Sequence, residues 1–181
     1  MLHWRVRQAA LALKQGKIIA YPTEAVFGLG CDPWNEDSVY SLLDLKERPW
    51  QKGLILIAAD FDQLQDFVEP LASDKMTRIY ASWPGPTTWV LPAKEGVPSC
   101  LRGQHDTIAV RVTAHKQTAQ LCQQFGGAIV STSANITGKQ PAKLIRQVHW
   151  QFPEINVLAG QCEGLDKPTQ IRDGQTGDIL R

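Results

Sequence analysis

Between Leu42 and Ile57 the chain passes from an amphipathic run to an unbroken apolar one, and three cations stand at the crossing: Lys46, Arg48 and Lys52. Val39, Leu42, Leu43 and Leu45 recur at helical spacing after a capping Asn35 and the first-turn acids Glu36 and Asp37, and Pro49 requires that helix to stop before it. Gly53 then releases Leu54-Ile55-Leu56-Ile57-Ala58, which lacks the polar alternation of a half-exposed strand and suits the interior of a sheet. An amphipathic helix leading into such a strand points to the α/β class. The cations between them either hold an anion or offset the negative end of the helix dipole from solvated positions.

The same alternation continues along the chain. Val6, Ala9, Ala10 and Leu13 mark a helix that stops at Gly16, and Ile18-Ile19-Ala20-Tyr21 reads as a strand. Pro22 to Gly30 reads as a loop leaving that strand, with Thr23 at the exit as a ligand group or as a turn hydroxyl bonded to its own backbone. The spacing predicts two helices over 61–80 broken near Pro70, a rigid turn over 83–88, a strand at Trp89-Val90-Leu91 and a loop over 96–103. A strand over 107–112, a helix over 115–125 ended by Gly126-Gly127, a strand over 128–132 and a helix over 144–152 follow. The last thirty residues read as short strands with a turn at 174–177. No repeat or linker divides the chain, so the expectation is one domain over residues 1–181: an open, twisted, mixed sheet with flanking helices.

A chain of 181 residues with 43% apolar and 20% charged residues has material for a real core. Its net charge of +1 does not mark a nucleic-acid binder, but the charge is unevenly placed. Residues 53–74 hold five acids and no Lys or Arg, whereas 139–149 hold Lys139, Lys143 and Arg146 and no acid. Cys31, Cys100, Cys122 and Cys162 lie far apart, and the opening residues lack the apolar core of a signal peptide, so reduced thiols in a cytoplasmic protein are expected. His3, His105, His115 and His149 share no metal-binding spacing, so no protein-built metal site is expected. No run approaches the roughly 20 apolar residues that cross a bilayer.

If the strand exits gather on one side, Thr23, Lys46, Arg48, Lys52, Thr88, Arg111, Ser133 and Asn135 line one basic concave cleft. That inventory suits a polyphosphate: arginine forks and lysine point charges bind phosphate or carboxylate, and hydroxyls and amides orient it. Arg111 stands inside an apolar strand, an expensive position unless an anion meets it. No P-loop, GxGxxG, GxSxG or HExxH is present, and Ser133 has no evident base to make it a nucleophile. The rival class is a double-stranded RNA or tRNA binding module in ribosome or tRNA maturation, which would spread its cations over several phosphate spacings and expose aromatics for stacking. Most of the six tryptophans read as core or turn packing.

Tyr21-Pro22-Thr23-Glu24, the KxR signature Lys46-Glu47-Arg48-Pro49, residues 83–88 as Trp-Pro-Gly-Pro-Thr-Thr, Ile108-Ala109-Val110-Arg111-Val112 and the SxN signature Ser133-Ala134-Asn135 stand in this order. Together they resemble the YrdC-type threonylcarbamoyl-AMP synthases in their short bacterial form, over nearly the whole chain. The resemblance implies a YrdC-like fold with a basic cleft that takes ATP, L-threonine and bicarbonate and releases pyrophosphate and threonylcarbamoyl-AMP. A threonylcarbamoyl transferase complex then modifies tRNA. By the same resemblance, Lys46, Arg48, Thr88, Ser133 and Asn135 lie on the nucleotide, with Pro141 and Arg181 as further nucleotide-side candidates, and Lys52 joins that side through its place in the cation loop. Thr23 and Arg111 hold threonine, with Thr169 near it. The longer family form carries a histidine after its second apolar strand, where this chain has Ile57-Ala58-Ala59. Lys46 and Arg48 are the expected catalytic cations, magnesium is expected on the triphosphate, and no tightly bound cofactor or membrane contact is expected.

Overall fold

The computed structural model describes residues 2–165 and 169–181. Its α-helices are α1 (Leu2–Lys14), α2 (Glu36–Leu45), α3 (Ser73–Ala81), α4 (Ser99–Arg102), α5 (Lys116–Phe125) and α6 (Ile145–Gln151). Its strands are β1 (Ile19–Pro22), β2 (Phe27–Gly30), β3 (Ile55–Ala58), β4 (Thr87–Pro92), β5 (Thr107–Val112), β6 (Ile129–Ser133), β7 (Asn156–Val157) and β8 (Gln170–Asp173). They form an eight-stranded mixed sheet in the order β7-β1-β2-β6-β3-β5-β4-β8. Among the described residues only β7/β1, β3/β5 and β4/β8 pair in parallel.

Register sorts the side chains into two faces. Leu56 of β3 is level with Val130 of β6 and Val110 of β5, Val110 with Trp89 of β4, and Leu29 of β2 with Ala20 of β1. These residues join one core with Val39, Leu42 and Leu43 of α2, Met76 and Ile79 of α3 and Leu101 of α4. On the opposite face Ile19, Tyr21, Ile57 and Ile129 pack under Val6 and Leu13 of α1 and Leu121 of α5. Those two helices cover only part of that face. Its remaining positions, Ile55, Ala109, Ser131 and Val90 among them, border an open cavity.

Helix ends follow their sequence signals. Asn35 caps α2 by accepting the Ser38 amide at 3.0 Å, and Gly126 closes α5 in the left-handed conformation. Elsewhere the sequence expectation needs correction. Residues 27–30 form β2 rather than loop, antiparallel to both β1 and β6. A Cβ at Gly30 would lie 2.2 Å from the Val130 carbonyl oxygen, so the close approach of these strands needs that glycine. Between 61 and 81 there is one 3-10 turn (Asp62–Leu64) and one α-helix, α3, instead of two helices. The 96–103 loop contains the short α4, and β4 begins at Thr87, inside the expected turn. Trp4, Trp34 and Trp150 are exposed rather than core residues, with the Trp34 ring stacked on Phe67.

Candidate active site

Because the sheet is mixed, the cavity gathers strand starts as well as strand exits. Ser133 ends β6, while Gly53 and Thr107 lie at the entries to β3 and β5, and all three line a cavity of about 560 Å3. The expectation of strand exits alone on one side is therefore corrected. The cavity wall is drawn instead mostly from one face, at alternate residues: Thr107, Ala109 and Arg111 on β5, Ser131 and Ser133 on β6, with Thr132 joining them at the strand end, and Ile171 and Asp173 on β8.

Of the residues singled out from sequence, Thr23, Arg48, Lys52 and Arg111 line this cavity, as do Ser133, Pro141, Thr169 and Arg181. Lys46, Thr88 and Asn135 do not line it, but each is bonded or paired to a residue that does. Thr88 is fully buried on the cavity-facing side of β4, level with Ile171 of β8, and its hydroxyl has no partner among the described residues. The Asn135 side chain accepts from Ser133 Oγ at 2.6 Å and donates to the carbonyls of Ile136 and Lys139, fixing the turn after β6.

Lys46 is 3% exposed, and its ammonium donates to the carbonyl oxygens of Ser133 and Asn135. The two signatures thus meet in space, the end of α2 bolted to the exit of β6. Glu47, with φ of 51°, reverses the chain between Lys46 and Arg48, so the first turns toward β6 and the second enters the cavity. Burial, with Arg48 adding to it, pushes the Lys46 ammonium down to about 8.

Arg48 donates to the Gly53 carbonyl at 2.9 Å, and its Nε is buried without a partner among the described residues. Its guanidinium is held below its ordinary value first by burial and then by Arg181, and Arg181 in turn by partial burial and then by Arg111. These guanidiniums remain charged, and the smaller, charge-based part of each shift places Arg48 near Arg181 and Arg181 near Arg111 at the cavity wall. That arrangement favours an anion between them.

Part of the anionic charge that meets Arg111 comes from the chain itself. Glu24, 2% exposed, places Oε2 3.4 Å from Arg111 Nη2, while Arg111 Nη1 donates to Thr169 Oγ1 at 2.7 Å. Glu24, Arg102, His105 and Asp173 were not singled out as site residues. Arg102, His105 and Asp173 line the cavity, and no local pattern marks them, because only the long-range pairing of β3, β4, β5 and β8 brings them there. Glu24 was visible next to Thr23, but its partner is 87 positions away.

Residues 11–181 match the family described as telomere recombination, Sua5/YciO/YrdC. The chain belongs to that family. It is 52% identical over 180 residues to a threonylcarbamoyl-AMP synthase of Methylococcus capsulatus, covering 98% of this chain and 97% of that one. It is 53% identical over 180 residues to the same-named protein of Halorhodospira halophila, covering 98% and 94%. Among solved structures, Pyrococcus abyssi Sua5 complexed with L-threonine superposes with a TM-score of 0.90 at 32% identity, covering 99% of this chain and 54% of that longer one. Escherichia coli YciO shares the fold, with a TM-score of 0.83 at 22% identity, covering 99% and 89%.

Proposed function

We propose that this chain is a threonylcarbamoyl-AMP synthase, a nucleotidyltransferase that converts L-threonine, bicarbonate and ATP to threonylcarbamoyl-AMP, pyrophosphate and water. The observation that carries the reading is the convergence of Arg48, Arg111 and Arg181 on one cavity, with Lys46 tying the KxR and SxN segments together behind it. Relatives of that name at about half identity over full length support it, as does the likeness to the threonine-bound Sua5.

Arg48 is the cation that meets charge growing on the phosphates, with Lys52 and Arg181 at the cavity wall beside it. Lys46 acts with Arg48 by fixing the loop on which Ser133 and Asn135 orient the nucleotide, and Thr88 and Pro141 complete that side. Arg111 takes the threonine carboxylate, with Thr23 and Thr169 beside it. The threonine amine, unprotonated, captures bicarbonate carbon as a carbamate, and a carbamate oxygen attacks the α-phosphorus as pyrophosphate leaves. No covalent enzyme intermediate is needed. Catalysis is positioning plus electrostatic stabilisation, in which one well-aimed donor is worth on the order of 3 kcal/mol. Magnesium would arrive with the triphosphate, held mainly by phosphates and water, and among the described residues lining the cavity Asp173 would be the carboxylate available to it.

The protein acts as one catalytic domain over residues 1–181 in the cytoplasm and passes its product to a transferase complex acting on tRNA. Among the described residues no helix is long and apolar enough to cross a membrane. Mass detection of threonylcarbamoyl adenylate from purified protein with ATP, threonine and bicarbonate tests the reading, and its absence removes it. Direct tRNA or double-stranded RNA contact is a separate element, tested by filter binding against salt.

A further inference from the structure

Glu24 has no role in the chemistry above, yet it is the most constrained carboxylate beside the cavity. Its Oε1 accepts from Thr113 Oγ1 at 2.7 Å and from the Ala114 amide at 3.1 Å. The direction of the first bond is fixed, because Thr113 Oγ1 also accepts the His115 amide at 3.1 Å and keeps its hydrogen for Glu24. With Oε1 committed to two donors, Oε2 faces the Arg111 guanidinium at 3.4 Å. That separation exceeds the roughly 2.8 Å of a charge-assisted hydrogen bond, so Glu24 steers Arg111 by charge without chelating it. Thr169 pins the other terminal nitrogen. The guanidinium is thereby set in plane and keeps bonding capacity toward the cavity that it lines.

We infer that Glu24, held by Thr113 and the Ala114 amide, is a positioning residue that aims Arg111 at the carboxylate of the amino-acid substrate. This rests on the proposed function, in which Arg111 receives that carboxylate. The geometry gives the substitution Glu24→Gln a definite sign. The amide oxygen must stay with Thr113 and Ala114, since both offer hydrogens. The new amide NH2 then takes the place of Oε2 and sets a donor against the donors of Arg111. Repulsion turns the fork away from its seat. A neutral residue at 24 thus does more than remove a competing charge.

The test measures pyrophosphate release for wild type, Glu24→Gln and Thr113→Val, with threonine as the varied substrate and L-threoninamide, which lacks the carboxylate, as inhibitor. For Glu24→Gln the expected result is a threonine KM raised about tenfold, the loss of one aligned bond to a charged group. Its kcat and ATP KM should stay within about threefold and the threoninamide Ki should be unchanged, so discrimination between carboxylate and amide falls. Thr113→Val, which loosens Glu24 without changing its charge, should move the same ratio about threefold. An ATP-dependent rise in melting temperature verifies folding, and if Glu24→Gln does not fold, Thr113→Val decides alone. A wild-type threonine KM in the folded variants, or equal weakening of threonine and threoninamide, overturns the role of Glu24. A wild type that forms no threonylcarbamoyl adenylate instead overturns the synthase reading beneath it.

Discussion

The two faces of the sheet are built from alternate residues of the same strands and have opposite chemistry. On β5, Ile108, Val110 and Val112 are buried in the core shared with α2 and α3, while Thr107, Ala109 and Arg111 face the cavity. On β6, Val130 belongs to the first set and Ser131 and Ser133 to the second. The first face is covered by helices and filled with branched apolar side chains. The second is covered by α1 and α5 over only part of its width, and the cations stand where that cover ends. Along β5 the packed core and the polar cavity wall are thus separated by a step of one residue, about 3.3 Å along the strand.

The separation breaks if a core-face change alters binding or a cavity-face change unfolds the chain. The largest effect is expected at the core face: Leu56→Ala, at a fully buried position, should cost about 2–5 kcal/mol in denaturant unfolding while leaving substrate KM values of the folded protein unchanged. On the other face, Arg48→Ala should lower pyrophosphate release by about a hundredfold with little loss of melting temperature. Normal turnover in that variant would remove Arg48 from catalysis.

A pH titration sharpens the role of Lys46, whose two carbonyl acceptors bind its charged ammonium more strongly than the neutral amine. Burial and Arg48 bring it down to about 8, so affinity for a non-hydrolysable ATP analogue should fall as pH rises past that value. Stability should respond in the opposite sense. Between about 8 and the ordinary 10.5 the unfolded state holds more protons at this group, so its contribution to folding rises with pH. Affinity that stays flat through this window breaks the link between Lys46 and the nucleotide. The smallest effect is expected for Ser133→Ala, which removes the bond to Asn135 Oδ1 and should raise the ATP KM about fivefold, the equivalent of about 1 kcal/mol.

Much of this was legible before any coordinates. The capped α2, the apolar β3, the helix over 116–125 with its glycine stop and the arginine inside β5 are local patterns, and each formed as read. Where local pattern was weak, the reading failed. Residues 27–30 carry two glycines and no strand-like run, and they become β2 because β1 and β6 lie on either side of them. Residues 61–81 carry enough apolar residues for two helices, but the first segment tightens into a single 3-10 turn.

The site divides in the same way. Residue types set the candidate chemistry: arginines, lysines and hydroxyls suit an anion once the fold brings them together. Which of them touch the cavity was decided by tertiary structure. A positive φ at Glu47 sends Lys46 behind the wall and Arg48 into it, and mixed strand pairing places Ser133 and Gly53 at the same end. The Glu24 and Arg111 charges meet only because the loop after β1 lies against the end of β5. Sequence carries periodicity and chemical type, which are local, whereas pairing between distant segments depends on the free energy of the whole packed chain.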